Sequence, residues 1–360
     1  WRSNTFKRLR ELKGIVLDSS LLGRLLAAEP LTAAISQNLE LAGARVLSAA
    51  PRAIEAPGYL SDLVGVTLEW TQASNAPTHA VLKASHLGFG QGELPFYQTI
   101  AGRLDCATIP KFFAGGTDEP SGRTWLLMED LSDSHERPSE APMPPTLARS
   151  TKLVEALAQF HAAGRNAAAW TDTGPTLWQR LRSSEWLESA SVRLLDRAGD
   201  ALDSRVRDTY MQFLDAFPTL VDRSEQLQGR TLVHGDAHVW NWMLPREGMV
   251  DVPKLIDWDA WHVGVGVWDL AYMMAVQWDR DVRQRFENLL LDRYHATLVA
   301  SGVSGYSREA LQDDYRLAVL LHLRTPIARF ARNMSGYVWW PQLVRIQHAV
   351  EDLRCLDMLT

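Results

Sequence analysis

Two cysteines in 360 residues, Cys106 and Cys355, are too few and too far apart for a disulfide framework. Such sparing use predicts a reducing, cytoplasmic setting. Long apolar runs are missing as well. The longest are broken by charge or glycine within about ten residues, well short of the ~20 that a membrane-spanning helix needs. An excess of basic charge is also lacking: 37 Lys and Arg face 43 Asp and Glu, a net charge of -6. That sign is wrong for a surface tracking a nucleic-acid backbone, so no nucleic-acid partner is expected. The first residues, Trp1-Arg2-Ser3-Asn4, form no apolar h-region, and a secretory signal is not expected. Nothing repeats at a fixed period, and no segment is low in complexity.

What remains is ordinary globular composition, 46% apolar and 22% charged. The length suits two domains or lobes with sizeable cores. The unusual count is tryptophan, 14 in all, with six between Trp240 and Trp278. Most Trp are core packing, and that reading is adopted for most of these. The sharper reading is an aromatic-walled pocket, for which Trp258, Trp261, Trp278, Trp339 and Trp340 are the candidates.

The chemistry concentrates in Val233-His234-Gly235-Asp236-Ala237-His238-Val239-Trp240-Asn241 and, soon after, Lys254-Leu255-Ile256-Asp257-Trp258-Asp259. Each is a short apolar run delivering polar residues at a turn. Asp236 and Asn241 are five apart, the offset of the Asp-x-x-x-x-Asn loop used in phosphoryl transfer. There the Asp receives or orients the acceptor hydroxyl, and the Asn side-chain oxygen binds magnesium. Asp257 stands where a second, purely acidic metal ligand is placed. Magnesium takes oxygen ligands, one or two of them carboxylates, so one Asn and one Asp fit. His-Gly-Asp by itself would read as a turn, and Asn241 as a polar residue on an edge strand. The Asn offset and the Ile-Asp-Trp-Asp that follows favour chemistry.

These residues resemble the aminoglycoside phosphotransferase and choline kinase superfamily, whose signature is His-Gly-Asp-x-His-x-x-Asn and then a strand ending Ile-Asp-Trp. Here it is His234, Gly235, Asp236, His238, Asn241, then Ile256-Asp257-Trp258. The likeness spans roughly residues 40–280 and implies a bilobal, protein-kinase-like α+β fold. It also implies ATP and Mg2+ as cofactors and a small-molecule hydroxyl as acceptor. Asp269, in Trp268-Asp269-Leu270-Ala271, matches an element that braces the catalytic loop. His234 is read as packing under that loop and Asp259 as capping its turn, with a second magnesium as the alternative; His238 receives no assigned role.

Upstream, residues 21–41 have helical spacing, with Pro30 separating two short helices. Residues 44–50 and 65–71 read as strands. The stretch between them, residues 51–62, contains only Gly58, so no Gly-rich phosphate loop is present. It resembles the corresponding loop of ecdysteroid-kinase-like members, which implies that Gly58, Ser61 and nearby backbone N–H groups meet the phosphates. His79-Ala80-Val81-Leu82-Lys83 is an apolar strand ending in a lysine, close to Val-Ala-Ile-Lys. The one acid between Lys83 and Asp105 is Glu93, ahead of a helix with Pro95 in its first turn. Glu-x-x-Phe-Tyr resembles the partner helix of the same relatives; the bland alternative is two solvated surface charges. Gly88-Phe89-Gly90-Gln91-Gly92 imitates a dinucleotide fingerprint, but position 93 is Glu, and it is read as a flexible turn.

The strand at residues 123–131 runs into a Ser-, Pro- and charge-rich stretch, residues 132–145, read as a linker. This sets the lobe boundary: a β-rich N-terminal lobe over residues 1–131 and a mainly helical C-terminal lobe over residues 132–360. By the resemblance, backbone groups of Glu129 and Leu131 would hold adenine. Helices are expected at 147–163, at two or three places in 178–228, at 281–300 and 307–330, and from Pro341 to about 358. His161 is read as a satisfied core histidine.

The expectation is an ATP- and Mg-dependent kinase acting on a hydroxyl of a sugar or other hydroxylated natural product. Asp236 is catalytic, Asn241 and Asp257 hold the metal, and Lys83 with Glu93 positions the phosphates. Eleven residues between Asp257 and Asp269 leave no room for the long activation segment of a protein kinase. The alternatives are an aminoglycoside or choline-type kinase, a metal-dependent phosphohydrolase using His234, Asp236, His238 and Asp257, and a non-catalytic nucleotide-binding protein. The C-terminal charges alternate in sign and form no acidic wall, which favours a neutral or weakly charged acceptor over a polycation.

Overall fold

In the computed structural model, the described residues are 19–38, 41, 43–54, 61–71, 76–165, 170 and 174–359. They fold as the expected α+β protein, β-rich at the N-terminal end and helical beyond it. Two short helices, α1 (Ser19–Leu25) and α2 (Ala28–Ile35), precede the sheet. Their break falls at Leu26–Ala27, and Pro30 sits inside the first turn of α2, where a missing N–H costs nothing.

The sheet comprises β1 (Val46–Arg52), β2 (Ser61–Trp70), β3 (His79–Ser85), β4 (Phe112–Asp118) and β5 (Arg123–Glu129) in the order β1-β2-β3-β5-β4, all antiparallel. Alternation decides which face each residue serves. Ala80, Leu82 and Ala84 of β3 turn inward and pack with Leu31 and Ile35 of α2 in one apolar cluster. Lys83 stands on the opposite face, where α3 (Glu93–Thr99) lies. There Phe96 and Tyr97, with Leu126 and Met128 of β5, join the second and larger cluster, which runs on through the helical region.

The stretch read as a linker contains a two-residue strand, β6 (His135–Glu136), too short for any periodicity to announce. It pairs with β8 (Trp242–Pro245), which pairs with β9 (Lys254–Leu255). Helix α4 (Leu147–Ala163) begins at Thr146, whose side chain accepts the Arg149 N–H. Three helices follow, α5 (Leu177–Arg182), α6 (Trp186–Ala198) and α7 (Ser204–Ser224). Strand β7 (Arg230–Val233) then pairs antiparallel with β10 (His262–Val265), and α8 (Val267–Ala271) continues as a π turn through Val276.

The remaining helices are α9 (Arg280–Ala300), α10 (Arg308–Leu321), α11 (Arg324–Ala331) and α12 (Gly336–Asp352). The single helix expected over 307–330 is therefore two, broken at His322–Leu323. Helix α12 starts earlier than expected, with Pro341 inside it. That proline forfeits one hydrogen bond near the helix start, where the ladder has barely begun.

Pro326, in the first turn of α11, has no N–H to offer the His322 carbonyl, so the helix restarts there. His322 sits at the break. One ring nitrogen meets Thr325 Oγ1 at 2.9 Å and the other Trp268 O at 3.1 Å, and the ring is buried. Burial holds its pKa down to about 3, so the folded protein keeps it neutral. Because the folded pKa is the lower one, the unfolded chain binds the extra proton between about pH 6.5 and pH 3. Stability is expected to fall as pH drops through that window. Urea midpoints measured from pH 7 to pH 4 should decline less steeply in His322→Gln than in the wild type.

Candidate active site

The loop after β7 is shaped by one buried carboxylate. Asp269 Oδ2 accepts the His234 N–H at 2.7 Å and Oδ1 accepts the Gly235 N–H at 2.8 Å. His161, on α4, lies 3.2 Å from the same Oδ2, and its other nitrogen meets the Tyr294 hydroxyl at 2.7 Å. It is the satisfied core histidine expected, and it also steadies Asp269. Burial by itself pushes the Asp269 carboxyl up, but these hydrogen bonds outweigh it and its pKa lies below the ordinary carboxylate value. Gly235 has φ +81°, and a Cβ there would meet Ala260 O at 2.3 Å. Only glycine fits this turn.

Beyond the turn, Asp236 is half-buried, and its carbonyl and Oδ2 accept the Asn241 Nδ2–H groups at 2.9 and 3.4 Å. Both amide protons are thus occupied, and Asn241 Oδ1 is the ligand atom left. His234 packs edge-on against Trp258, 4.7 Å between centroids. Its Nε2–H donates to Ile256 O at 3.0 Å and its Nδ1 accepts the Asp236 N–H at 3.2 Å. With both nitrogens engaged, His234 cannot ligate a metal, which removes one ligand of the phosphohydrolase alternative. His238 Nε2 lies 3.7 Å from Asp236 Oδ2.

Asp257 is one of three non-glycine residues described at positive φ, at 69°, where a single left-handed residue turns the chain after β9. Its Oδ1 accepts from Lys83 Nζ at 2.8 Å, and the same ammonium lies 2.6 Å from Glu93 Oε2. Neither charge of the Lys83–Glu93 pair is solvated: Glu93 is 1% exposed and also accepts the Trp258 N–H at 3.3 Å. Burial would lower the Lys83 pKa, but Glu93 and Asp257 more than reverse it and hold the lysine charged. Lys83 in turn keeps the Asp257 carboxyl below its usual range against burial.

Asp259 neither caps its own turn nor faces Asn241. Its two oxygens accept the N–H groups of Gly92 at 2.7 Å and Gly90 at 3.2 Å, strapping the apparent fingerprint to the segment after Asp257. A Cβ on Gly92 would meet Asp259 O at 2.3 Å, and Gly90 has φ +70°. The glycines therefore serve close backbone approach, and the turn read as flexible is tied at two points. Trp261 Nε1–H adds a bond to Gly92 O at 2.9 Å.

Other expected residues are less central. Gly58 lies outside the described residues. Ser61 opens β2 opposite Ser85 in the sheet and is buried. The Glu129 N–H donates to Lys111 O at 2.9 Å, so only its carbonyl remains to be considered for adenine; the Leu131 carbonyl accepts from His135 N at 2.9 Å, leaving its N–H. Trp258, Trp261 and Trp278 are buried, which excludes them as pocket walls. Trp258 instead stacks on Phe96 of α3, centroids 4.2 Å apart, joining the sheet region to the catalytic loop.

Two residues beside Asp236 carry no motif. Arg329 Nη2 of α11 lies 3.5 Å from Asp236 Oδ1 and donates to the Tyr272 hydroxyl at 2.9 Å. Tyr272 stands in the π turn and has its own pKa pushed up by burial first and the charge of Asp236 second. An arginine so far along the chain has no sequence signal linking it to Asp236.

A β-rich region carrying Lys83 and Glu93, set against a helical region carrying Asp236, Asn241 and Asp257, defines a phosphotransferase of the protein-kinase-like class. The model of the phosphotransferase enzyme family (APH) matches residues 37–310, and the chain belongs to that family. It is a small-molecule kinase, and the family implies ATP as the donor. Among solved structures, an ethanolamine kinase from Plasmodium vivax is 11% identical with a TM-score of 0.56, over 97% of this chain and 94% of that one. A choline/ethanolamine kinase family protein from Mesorhizobium loti is 12% identical with a TM-score of 0.50, over 92% of this chain and 99% of that one. Both are likenesses of fold. No curated protein matches the chain in sequence.

Asp269→Asn would set an N–H donor against a backbone N–H that now meets a carboxylate. The expected loss of stability is about 3 kcal/mol, read by urea unfolding, with turnover falling as well because Asp236 rides on the turn that Asp269 holds.

Proposed function

We propose that the chain transfers the γ-phosphate of ATP to a hydroxyl of a sugar or other hydroxylated metabolite that is not a polycation. The observation that carries this reading is the Lys83 ammonium held 2.6 Å from Glu93 and 2.8 Å from Asp257, on the same loop system as Asp236 and Asn241. A charged lysine fixed on a strand suits the α- and β-phosphates. The Glu129 carbonyl and Leu131 N–H are one acceptor and one donor, the pair that an adenine edge requires. We also propose the lobe boundary at residue 131, two residues past the end of β5.

The ligand chemistry fits Mg2+. Asn241 Oδ1 has no other hydrogen-bond partner among the described residues, and the Asp257 side chain is half-exposed, with Lys83 on Oδ1 alone. Both are hard oxygen donors on neighbouring turns, and phosphates and waters would complete the shell. When bound, the cation neutralises charge on the phosphates.

The chain's own work is positioning. Asp236 Oδ takes the hydrogen bond of the acceptor hydroxyl and receives its proton as the phosphoryl group moves away from ADP. Asn241 and Arg329 hold that carboxylate, one at each oxygen. Burial of the Lys83–Glu93 pair keeps water from competing for the ammonium, and catalysis rests on orientation and electrostatics. Arg329 beside Asp236 puts a cation where a cationic acceptor would need an anion, which supports a neutral or weakly charged acceptor over choline-like and aminoglycoside substrates.

Asp236→Asn is expected to lower kcat by about 10³-fold while Mg-ATP affinity stays near wild type. Asp257→Ala is expected to weaken Mg-ATP binding itself by at least about tenfold. Titration calorimetry with Mg-ATP and an ADP-release assay separate the two. Full turnover by Asp236→Asn would remove the catalytic assignment.

A further inference from the structure

The acceptor oxygen bound to Asp236 must receive a phosphoryl group with negative charge spread over its equatorial oxygens, beside a carboxylate of the same sign. Lys83 stands with Glu93 at 2.6 Å and Asp257 at 2.8 Å, which suits it to the α- and β-phosphates and not to the group leaving them. Among the described residues, the basic side chains in ion-pair range of Asp236 are His238 and Arg329. His238 lies 3.7 Å from Oδ2, the oxygen that Asn241 Nδ2 also approaches, at 3.4 Å. Arg329 stands at the other oxygen, Oδ1.

The Arg329 guanidinium is fixed and yet underused. Its Nη2 donates to the buried Tyr272 hydroxyl at 2.9 Å and lies 3.5 Å from Asp236 Oδ1. That second distance is well beyond the ~2.9 Å of a charge-assisted hydrogen bond. The contact therefore sets positive charge beside the carboxylate without taking the lone pairs that an acceptor hydroxyl needs. Helix α11, which carries Arg329, packs on α6 and α12, so the side chain has a firm base. Arg329 Nε and Nη1 donate to no atom among the described residues, and neither is sealed from solvent. Half of a fork that matches phosphate oxygens is thereby left open next to the catalytic carboxylate. A hydroxyl bonded to Asp236 sits about 3 Å from the carboxylate, and the phosphorus attacks within about 3.5 Å of that hydroxyl oxygen. A guanidinium 3.5 Å from the same carboxylate borders the path of the transfer.

We propose that Arg329 is a catalytic residue: its Nε and Nη1 N–H groups bind the equatorial oxygens of the phosphoryl group as it passes to the acceptor oxygen held by Asp236. In that step the bond from the acceptor oxygen to phosphorus forms while the bond from phosphorus to the β,γ-bridging oxygen breaks. The electron pair of the broken bond leaves with ADP, and the hydroxyl proton goes to Asp236. Arg329 keeps its protons throughout and offsets the repulsion between carboxylate and phosphoryl group. The role rests on the kinase reading and adds to the holding of Asp236 a direct contact with the group transferred.

Mg-ADP with aluminium fluoride, a mimic of the transferring phosphoryl group, tests this without an identified acceptor. Calorimetry on the full chain compares the wild type with Arg329→Gln, Arg329→Lys, Asp236→Asn and the double variant Asp236→Asn with Arg329→Gln. The wild type is expected to bind Mg-ADP about 100-fold more tightly when aluminium fluoride is present. Arg329→Gln should lose about tenfold or more of that gain and keep the wild-type affinity for Mg-ADP alone, which also reports an intact fold. Arg329→Lys, with the charge but not the fork, should keep part of the gain, and it decides the matter by a smaller gain than wild type if Arg329→Gln does not fold. A residue that acted only by holding Asp236 would make no difference once that carboxylate was gone, so the loss is expected to recur in the Asp236→Asn background. No gain in the wild type, the full gain in Arg329→Gln, or a loss confined to chains with Asp236 intact overturns the assignment. Mg-ATP titration of the wild type reports separately on the kinase reading, which fails if there is no binding.

Discussion

A lysine ammonium between two carboxylates, one from a helix and one from a loop, joins the parts of this molecule. Lys83 comes from the middle strand of the sheet, Glu93 from the first residue of α3, and Asp257 from the turn after β9. The three are buried to very different degrees, so the balance of charge is uneven. Glu93 is sealed and could not stay ionised without Lys83, since burial pushes its carboxyl up. Asp257 is half-exposed and keeps one oxygen for another cation. The ammonium therefore has one sealed partner and one open to solvent.

Around that triad, backbone geometry is set by close contacts. Asp257 adopts the left-handed region, a conformation that non-glycine residues sustain only where surroundings hold them. Holding it are the Trp258 N–H on Glu93, the Trp258–Phe96 stack, the two N–H bonds of Asp259 and the Trp261 bond to Gly92. All of these run between residues 90–96 and residues 257–261. The same seam thus aligns Lys83 and fixes the Asp257 carboxylate. On the other side, Asp269 sets the turn that carries Asp236, and Gly235 leaves room for Ala260 O. The backbone of this site is held by two carboxylates, Asp259 and Asp269, each accepting two N–H groups.

Asp236 has the opposite electrostatic surroundings from Lys83. At Lys83, one lysine is balanced by two acids. At Asp236, by contrast, a single carboxylate lies 3.5 Å from Arg329 and 3.7 Å from His238. Likeness of fold to choline and ethanolamine kinases carries no such detail, because the helices that build this side belong to the part of the chain where pattern is least specific.

Residue spacing by itself determined a good deal. The Asp236–Asn241 offset, the Ile256-Asp257-Trp258 strand end and the apolar strand ending in Lys83 are local patterns. Their meaning survives without knowing what packs on them, and they sufficed for the α+β kinase-like fold and for the residues brought together here. Strand alternation also set which face Lys83 takes. The break at His322–Leu323 precedes Pro326, a local signal for a helix start that spacing over 307–330 does not separate from one continuous helix. Other features needed tertiary structure because they depend on partners far away in the chain. Two-residue β6 has no period to detect. Trp258, Trp261 and Trp278 are identical in composition to pocket walls and differ only in being covered. Gly90 and Gly92 read as a flexible turn until Asp259 is seen bonding them. Arg329 and Tyr272 flank Asp236 only because α11 and the π turn pack there, and no local pattern records a contact made across so much chain.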